Sequence, residues 1–264
     1  MRGRVLIIAG SDSGGGAGIQ ADIKTVTALG GYAMTAITAL TAQNTKGVSA
    51  IHEVPAEFVT EQIAQVMTDI GADAIKIGML GNAEVVGAVA KALEELAPGV
   101  PVVLDPVMVA KGGAALLARA AETALRDKLI GRAALLTPNV PEAEVLAGER
   151  IAKPHDLERL GRRLLYMGAG AVLMKGGHMQ GAEVVDVLVT ENHVERFSGP
   201  RVDTRHTHGT GCTLASACAV GVAQGLGLHD AVKRAWAYVQ RAIETAPGYG
   251  QGHGPLNHGH SIPD

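Results

Sequence analysis

The sequence predicts an α/β fold, a mainly parallel central sheet with helices on both faces, and three observations predict it. Short β-branched apolar runs alternate with stretches of helical spacing along all 264 residues, the order that builds parallel strands joined by helical crossovers. The composition is 47% hydrophobic but only 3% aromatic, so the core is aliphatic, as strands buried on both faces require. The 35 glycines keep no three-residue period, which excludes collagen; many fall where a strand hands over to a helix. No Pro/Ser-rich linker, charge block or fixed repeat divides the chain, so residues 1–264 read as one domain.

The elements follow in order. Residues 5–9 (VLIIA) form a buried strand before a glycine loop. Ile19, Ile23, Val26 and Leu29 have helical spacing, and Gly30-Gly31 ends that helix. Strands are expected at 32–42 and 48–54, then a helix over 57–70 behind Pro55 with Phe58, Ile63, Val66, Met67 and Ile70 as its apolar stripe. A strand at 74–77, a helix at 84–96 and a strand at 102–104 continue the alternation. It repeats with a helix at 121–130, a strand at 134–136, a short helix from 142, a helix at 157–167 and a strand at 171–174. Runs at 183–190 and 193–197 alternate around Glu191-Asn192 as a hairpin, an expected antiparallel edge. Two helices close the chain, one from near Gly211 and one over 230–245.

A net charge of −3 and a pI near 6.4 leave no basic footprint for nucleic acid or a membrane surface. Cys212 and Cys218 on one helix would stand about 9 Å apart, too far to bridge. Two thiols without a disulfide framework point to the cytoplasm. The longest uncharged stretch, 25–43, is broken by Gly30-Gly31 and reads as a strand after a helix rather than a membrane span.

In such sheets ligands bind beyond the carboxyl ends of the strands, and four strand ends carry chemistry. The loop from Gly10 to Gly18 opens a helix; its G-x-G fragments raise a dinucleotide site, but 32–43 lacks the acid that site needs. Asp105 follows one strand. Asn139 and Glu142, spaced N-x-x-E, could bring an amide oxygen and a carboxylate to a magnesium ion, or could simply form a capping box. Lys175 follows another strand and can reach phosphate oxygens, or remain a solvated lysine. The segment Thr207–Ala215 (THGTGCTLA) is the strongest local signal. Amides of Gly209, Thr210, Gly211 and Cys212 at a helix N-terminus would form an anion hole, and the helix dipole would lower the Cys212 pKa and supply a thiolate base. Cys218 reads as a small buried filler.

Together the segments IIAGSDSGGGAGIQADIKT, ITALTAQNT, KIGML, DPVM, LTPNVPEA, VLMKGGH and THGTGCTL resemble the bifunctional hydroxymethylpyrimidine/phosphomethylpyrimidine kinases of thiamine biosynthesis, in the ribokinase-like superfamily. The resemblance implies a three-layer αβα fold and two successive transfers of the ATP γ-phosphoryl group, first to the hydroxymethyl and then to the resulting phosphate. It implies a pyrimidine held among Gly10, Ala17, Gln43, Met79, Val107 and Cys212, with Gln43 reading the ring and Asp22 facing the pocket or serving its helix dipole. It also implies Cys212 as base beside the hole at Gly209–Gly211, Lys175 on phosphate, Mg²⁺ near Asn139 and Glu142 with Asp105 as a further candidate, and a homodimer. Where the family's first loop commonly has a proline, this chain has Ser13 and three glycines, expected to loosen that loop. A pyridoxal/pyridoxine kinase of the same fold is the alternative; a non-catalytic pyrimidine-binding module would not need Asn139, Glu142, Lys175 and Cys212 together.

Overall fold

The computed structural model describes residues 2–108, 119–151 and 156–262. Among the described residues nine strands form one sheet in the order β3-β2-β1-β4-β5-β6-β7-β8-β9. They are β1 (Arg4–Asp12), β2 (Tyr32–Asn44), β3 (Gly47–Glu53), β4 (Ala74–Ile77), β5 (Val102–Leu104), β6 (Leu135–Leu136), β7 (Val172–Met174), β8 (Glu183–Val189) and β9 (Val194–Pro200). From β2 to β7 the neighbours run parallel, whereas β3 at one edge and β8–β9 at the other are antiparallel. The hairpin expected around Glu191-Asn192 is therefore an edge. The opposite edge is a hairpin as well, since β2 runs on past residue 42 to Asn44 and turns directly into β3.

The helices are α1 (Gly18–Ala28), α2 (Ala56–Asp69), α3 (Ala83–Leu96), α4 (Arg119–Lys128), α5 (Val140–Ala147), α6 (Asp156–Tyr166), α7 (Thr210–Ala223) and α8 (Leu228–Glu244). Strand alternation divides them into two layers. Leu6 and Ile8 of β1 enter a core with residues of α2 to α6, while Val5, Ile7 and Ala9 enter a second core with α1, α7 and α8. This is the three-layer αβα sandwich of the ribokinase-like fold. Among the described residues no helix is long and apolar enough to cross a membrane.

Two expectations need correction. On α2, Phe58 is 57% and Ile70 38% exposed. The face toward the core is Ala56, Val59 and Ile63, with Val66 and Met67 partly buried against it. The expected stripe was too wide for one side of a helix packed against a sheet. The segment 121–130 is also not one helix: α4 ends at Lys128 and a 3₁₀ turn, Ile130–Arg132, follows.

Candidate active site

The end of β1 organises the first loop. Asp12 is buried; its Oδ1 accepts from the Gly14 amide at 2.8 Å, and its Oδ2 accepts from Gly16 at 3.1 Å and Ala17 at 2.8 Å. Oδ2 also lies 2.8 Å from His208 Nε2. Burial opposes the charge, but the His208 contact and the Gly14 and Ala17 amides outweigh it and hold Asp12 below the usual carboxylate range. Ser13 pins the loop to β2, since its hydroxyl donates to the Gln43 carbonyl at 2.8 Å and accepts the Gln43 amide N–H at 2.9 Å. The Ser13 loop is thus fastened rather than loosened, contrary to the expectation from its missing proline.

Register slips in both strand pairings place this loop beside its neighbours. One falls between Ala9 and Ser11, the other between Ala42 and Gln43, and such bulges re-aim side chains. At Gly10 a Cβ would lie 2.4 Å from Met79 Cε, so the bare backbone admits the Met79 side chain, as a flat pocket wall requires. Val107 stands half-buried just past Asp105.

A charged cluster gathers beyond β5, β6 and β7. Lys175 Nζ contacts Asp105 Oδ1 at 2.8 Å and Glu142 Oε2 at 4.0 Å. Asp105 also accepts from Thr137 Oγ1 at 3.3 Å. Asn139 and Glu142 form the capping box of α5: Asn139 Oδ1 accepts the Glu142 amide at 3.0 Å, and Glu142 Oε2 accepts the Asn139 amide at 2.8 Å. Burial pushes Glu142 up to about 7, with Lys175 opposing and Asp105 adding to the rise. Lys175 keeps its proton more tightly than an ordinary lysine; burial works against it, but Asp105 and Glu142 outweigh that. The loop after Lys175 is braced from β8, where buried Asp186 accepts the Gly176 amide at 2.8 Å.

The start of α7 closes onto both regions. Gly209, its N-cap, has φ +81°, and a Cβ there would lie 1.8 Å from the Gly16 carbonyl; only glycine fits. At Gly211 a Cβ would lie 3.1 Å from Lys175 Nζ and 3.5 Å from Asp105 Oδ2, so the helix N-terminus faces the charged cluster. Thr210 differs from expectation: its N–H, at 3.4 Å, and its hydroxyl, at 2.8 Å, both turn to the Thr207 carbonyl, so it braces the hole instead of lining it.

Cys212 also differs. The helix dipole was expected to lower its pKa, yet burial pushes the thiol up to about 11; Asp22 and Asp105 add to this, while Lys76 and the Gly18 N–H pull the other way. For this half-buried side chain, a desolvated thiol between two carboxylates outweighs one helix end. Asp22 is corrected too. It lies past the first turn of α1, wholly buried, with Oδ2 2.8 Å from Lys76 Nζ and Oδ1 accepting from Ser216 Oγ at 2.7 Å. It neither faces the pocket nor serves the helix dipole. Despite burial, the pairing keeps Lys76 protonated and raises its pKa.

The structure thus brings Gly10 to Met79, Ala17 to Asp12, Gln43 to His208, Lys175 and Asp105 to Gly211, and Glu142 and Asn139 to Lys175. Asp12, Lys76, Asp186, His208 and Ser216 were missed in the sequence. Lys76 had a readable signal, because a lysine inside the apolar run AIKI must find a buried acid. Among the described residues no group of three or more His, Cys, Asp or Glu could hold a metal. Near the C-terminus His258 Nε2 meets Thr213 Oγ1 at 3.0 Å, and Tyr238 donates to the His258 carbonyl at 2.5 Å, which straps that segment to α7 and α8. A separate cavity of about 750 Å³, lined by Arg126, Arg159, Arg162 and Arg163 among others, shares no residue with this site.

A ribokinase-like sheet whose α7 start faces a lysine and an acid, with a second acid beside that lysine, fits a phosphotransferase. The sequence matches the family described as "Phosphomethylpyrimidine kinase" over residues 12–257, and the chain belongs to that family. It is 52% identical over 97% of its length to the thiamine biosynthesis bifunctional protein ThiED of Geobacter sulfurreducens, of which it spans 52%. It is 45% identical to the hydroxymethylpyrimidine/phosphomethylpyrimidine kinase of Bacillus subtilis, covering 97% of this chain and 94% of that one. A solved pyridoxal kinase of Staphylococcus aureus in complex with pyridoxal superposes with a TM-score of 0.90 at 31% identity, covering 99% of this chain and 95% of that one.

Proposed function

We propose that this chain, as one kinase domain, phosphorylates 4-amino-5-hydroxymethyl-2-methylpyrimidine with ATP, first to the monophosphate and then to the diphosphate, in thiamine biosynthesis. The observation that carries this reading is the convergence of Lys175 and Asp105 on Gly211 at the start of α7. Phosphoryl transfer depends mainly on positioning and on meeting charge that develops in flight. Lys175 and the α7 amides supply positive charge and N–H donors at one end. Gly10, Ala17, Gln43, Met79 and Val107 hold the ring at the other, with Cys212 between them.

The donor set fits magnesium. Asp105 and Glu142 are hard carboxylate ligands, and magnesium commonly takes one or two carboxylates together with water and substrate phosphates. Asn139, its amide oxygen committed to the Glu142 N–H, would act mainly by fixing Glu142. Bound there, the ion would neutralise phosphate charge. Two free thiols accord with a cytoplasmic location. A homodimer accords with the β2–β3 hairpin at the sheet edge, whose Leu40 and Ile51 stand exposed on its two opposite faces, apolar side chains that a second copy could cover.

Mass spectrometry of the products from ATP, Mg²⁺ and hydroxymethylpyrimidine tests the reading, and two added phosphates are expected. Higher kcat/KM for pyridoxal would favour the alternative kinase. The role of Cys212 has its own test. In the first transfer a base must activate a neutral hydroxyl; in the second the nucleophile is already ionised. Cys212→Ala should slow the first step by about 10²–10⁴-fold and the second far less. With a thiol near 11, the first-step rate should also climb with pH from 7 to 10. Equal losses in separate single-turnover assays, with a flat profile, would leave Cys212 a positioning role only.

A further inference from the structure

The hydrogen bonds around Gln43 can be satisfied in only one way. His208 Nε2 lies 2.8 Å from Asp12 Oδ2. A carboxylate accepts only, so Nε2 carries the hydrogen and donates it. One end of the Gln43 amide lies 3.2 Å from that same nitrogen. An amide NH₂ there would set donor against donor, so the carbonyl oxygen must face His208 and share its hydrogen. The other end of the amide meets Thr41 Oγ1 at 3.1 Å, and Thr41 Oγ1 lies 2.9 Å from the Ser11 carbonyl. That carbonyl also only accepts, so the single Thr41 hydrogen goes to Ser11, and the Thr41 oxygen accepts from the Gln43 NH₂. Both ends of the amide demand the same orientation, with Oε1 toward His208 and Nε2 toward Thr41, so the amide is turned end for end from its placement in the structure, a choice between nitrogen and oxygen that the hydrogen bonds decide. The Gln43 backbone is fixed too, by Ser13 at both its N–H and its carbonyl.

We propose that His208, held by Asp12, and Thr41 are positioning residues that lock the Gln43 amide one way round, so that the site accepts a 4-aminopyrimidine and rejects its 4-oxo counterpart. The inference rests on the aminopyrimidine reading above and deepens it. The amino ring presents an N–H donor beside a bare ring nitrogen; the oxo ring presents a carbonyl beside a ring N–H, the same edge with donor and acceptor exchanged. A glutamine free to turn reads both. A locked one leaves the wrong ring with two facing mismatches, and unpaired polar groups in a closed site are costly. His208 immediately precedes Gly209, so the brace for the ring reader and the N-cap of the anion-hole helix belong to one loop.

The test compares kcat/KM for hydroxymethylpyrimidine and its 4-oxo analogue in the wild type, Thr41→Val, Thr41→Ser and His208→Ala, with KM for ATP and circular-dichroism melting alongside. The wild type should prefer the amino ring by on the order of 100-fold or more. Thr41→Val, which is isosteric, should lower that ratio severalfold with KM for ATP unchanged, and Thr41→Ser should retain it. His208→Ala should lower it at least tenfold. A wild-type ratio near one, or a folded Thr41→Val enzyme with the wild-type ratio, overturns the lock. If His208→Ala does not fold, Thr41→Val decides alone. If the wild type phosphorylates neither ring, it is the proposed substrate that fails.

Discussion

Two lysine–aspartate pairs flank Cys212, each closed at 2.8 Å, Asp22 with Lys76 and Asp105 with Lys175. In the first pair both side chains are 0% exposed, and Ser216 occupies the remaining carboxylate oxygen. In the second, Lys175 is 12% exposed, a further carboxylate stands 4.0 Å away, and the start of α7 lies against it. The distance is the same, but what is left over differs. The inner pair is sealed from water and reaches a ligand only through its field. The outer lysine faces two acids, and under the proposed function it would turn to an arriving phosphate and leave Asp105 and Glu142 to a cation.

That contrast breaks most sharply at the inner pair. Lys76→Met should cost about 3–5 kcal/mol of folding stability, because it strands the buried Asp22 charge; adding Asp22→Leu should restore most of the loss. Denaturant unfolding of the single and double variants measures both. A single-variant loss as small as that of a surface change would mean the inner pair is not sealed.

The outer pair should behave the opposite way. Lys175→Met should lower kcat by about 10²–10³-fold, the loss expected for one donor aimed at developing charge, while direct binding of the pyrimidine without ATP stays close to wild type. Loss of pyrimidine binding with kcat retained would move Lys175 to the ring-reading side.

A third buried group, His258, sits among cationic groups rather than against an acid. Burial lowers His258 to about 4, and Lys24, His260 and His208 add to the fall. Below about pH 6.5 the unfolded chain takes up this proton and the folded one does not. The contribution is therefore complete above pH 6.5 and fades as pH drops toward 4, by at most about 3 kcal/mol. Urea midpoints at pH 7 and 4.5 should diverge less in His258→Gln than in the wild type; identical pH slopes would show that the tail histidine is not held neutral.

The contrast between the pairs also marks what the sequence could show. β1, β4, β5, β6 and β7 were legible because their apolar runs sit between turn residues, and the placement of Asp105, Asn139, Glu142 and Lys175 at strand ends followed from where those runs stop. Asp22 was misplaced because its partner Lys76 is 54 residues away, and no local pattern links them. Asp12 and His208 lay inside quoted motifs, yet their meeting across 196 residues is a tertiary fact. Cys212 was misjudged for a related reason: a helix N-terminus is readable in sequence, but the burial and acids that overrule it are not.

The 1.8 Å that would separate a Gly209 Cβ from the Gly16 carbonyl has a consequence for how this enzyme could be altered. The loop after β1 and the start of α7 meet there backbone to backbone with no spare room. Under the proposed function, a designer who wished to widen the first loop for a bulkier ring could not do so at residue 16 without displacing the α7 N-terminus that would meet the phosphate. Substrate range and transfer chemistry are geared together there, and new specificity is better sought at Met79, Val107 or the Thr41–Gln43–His208 network, where side chains rather than backbones meet.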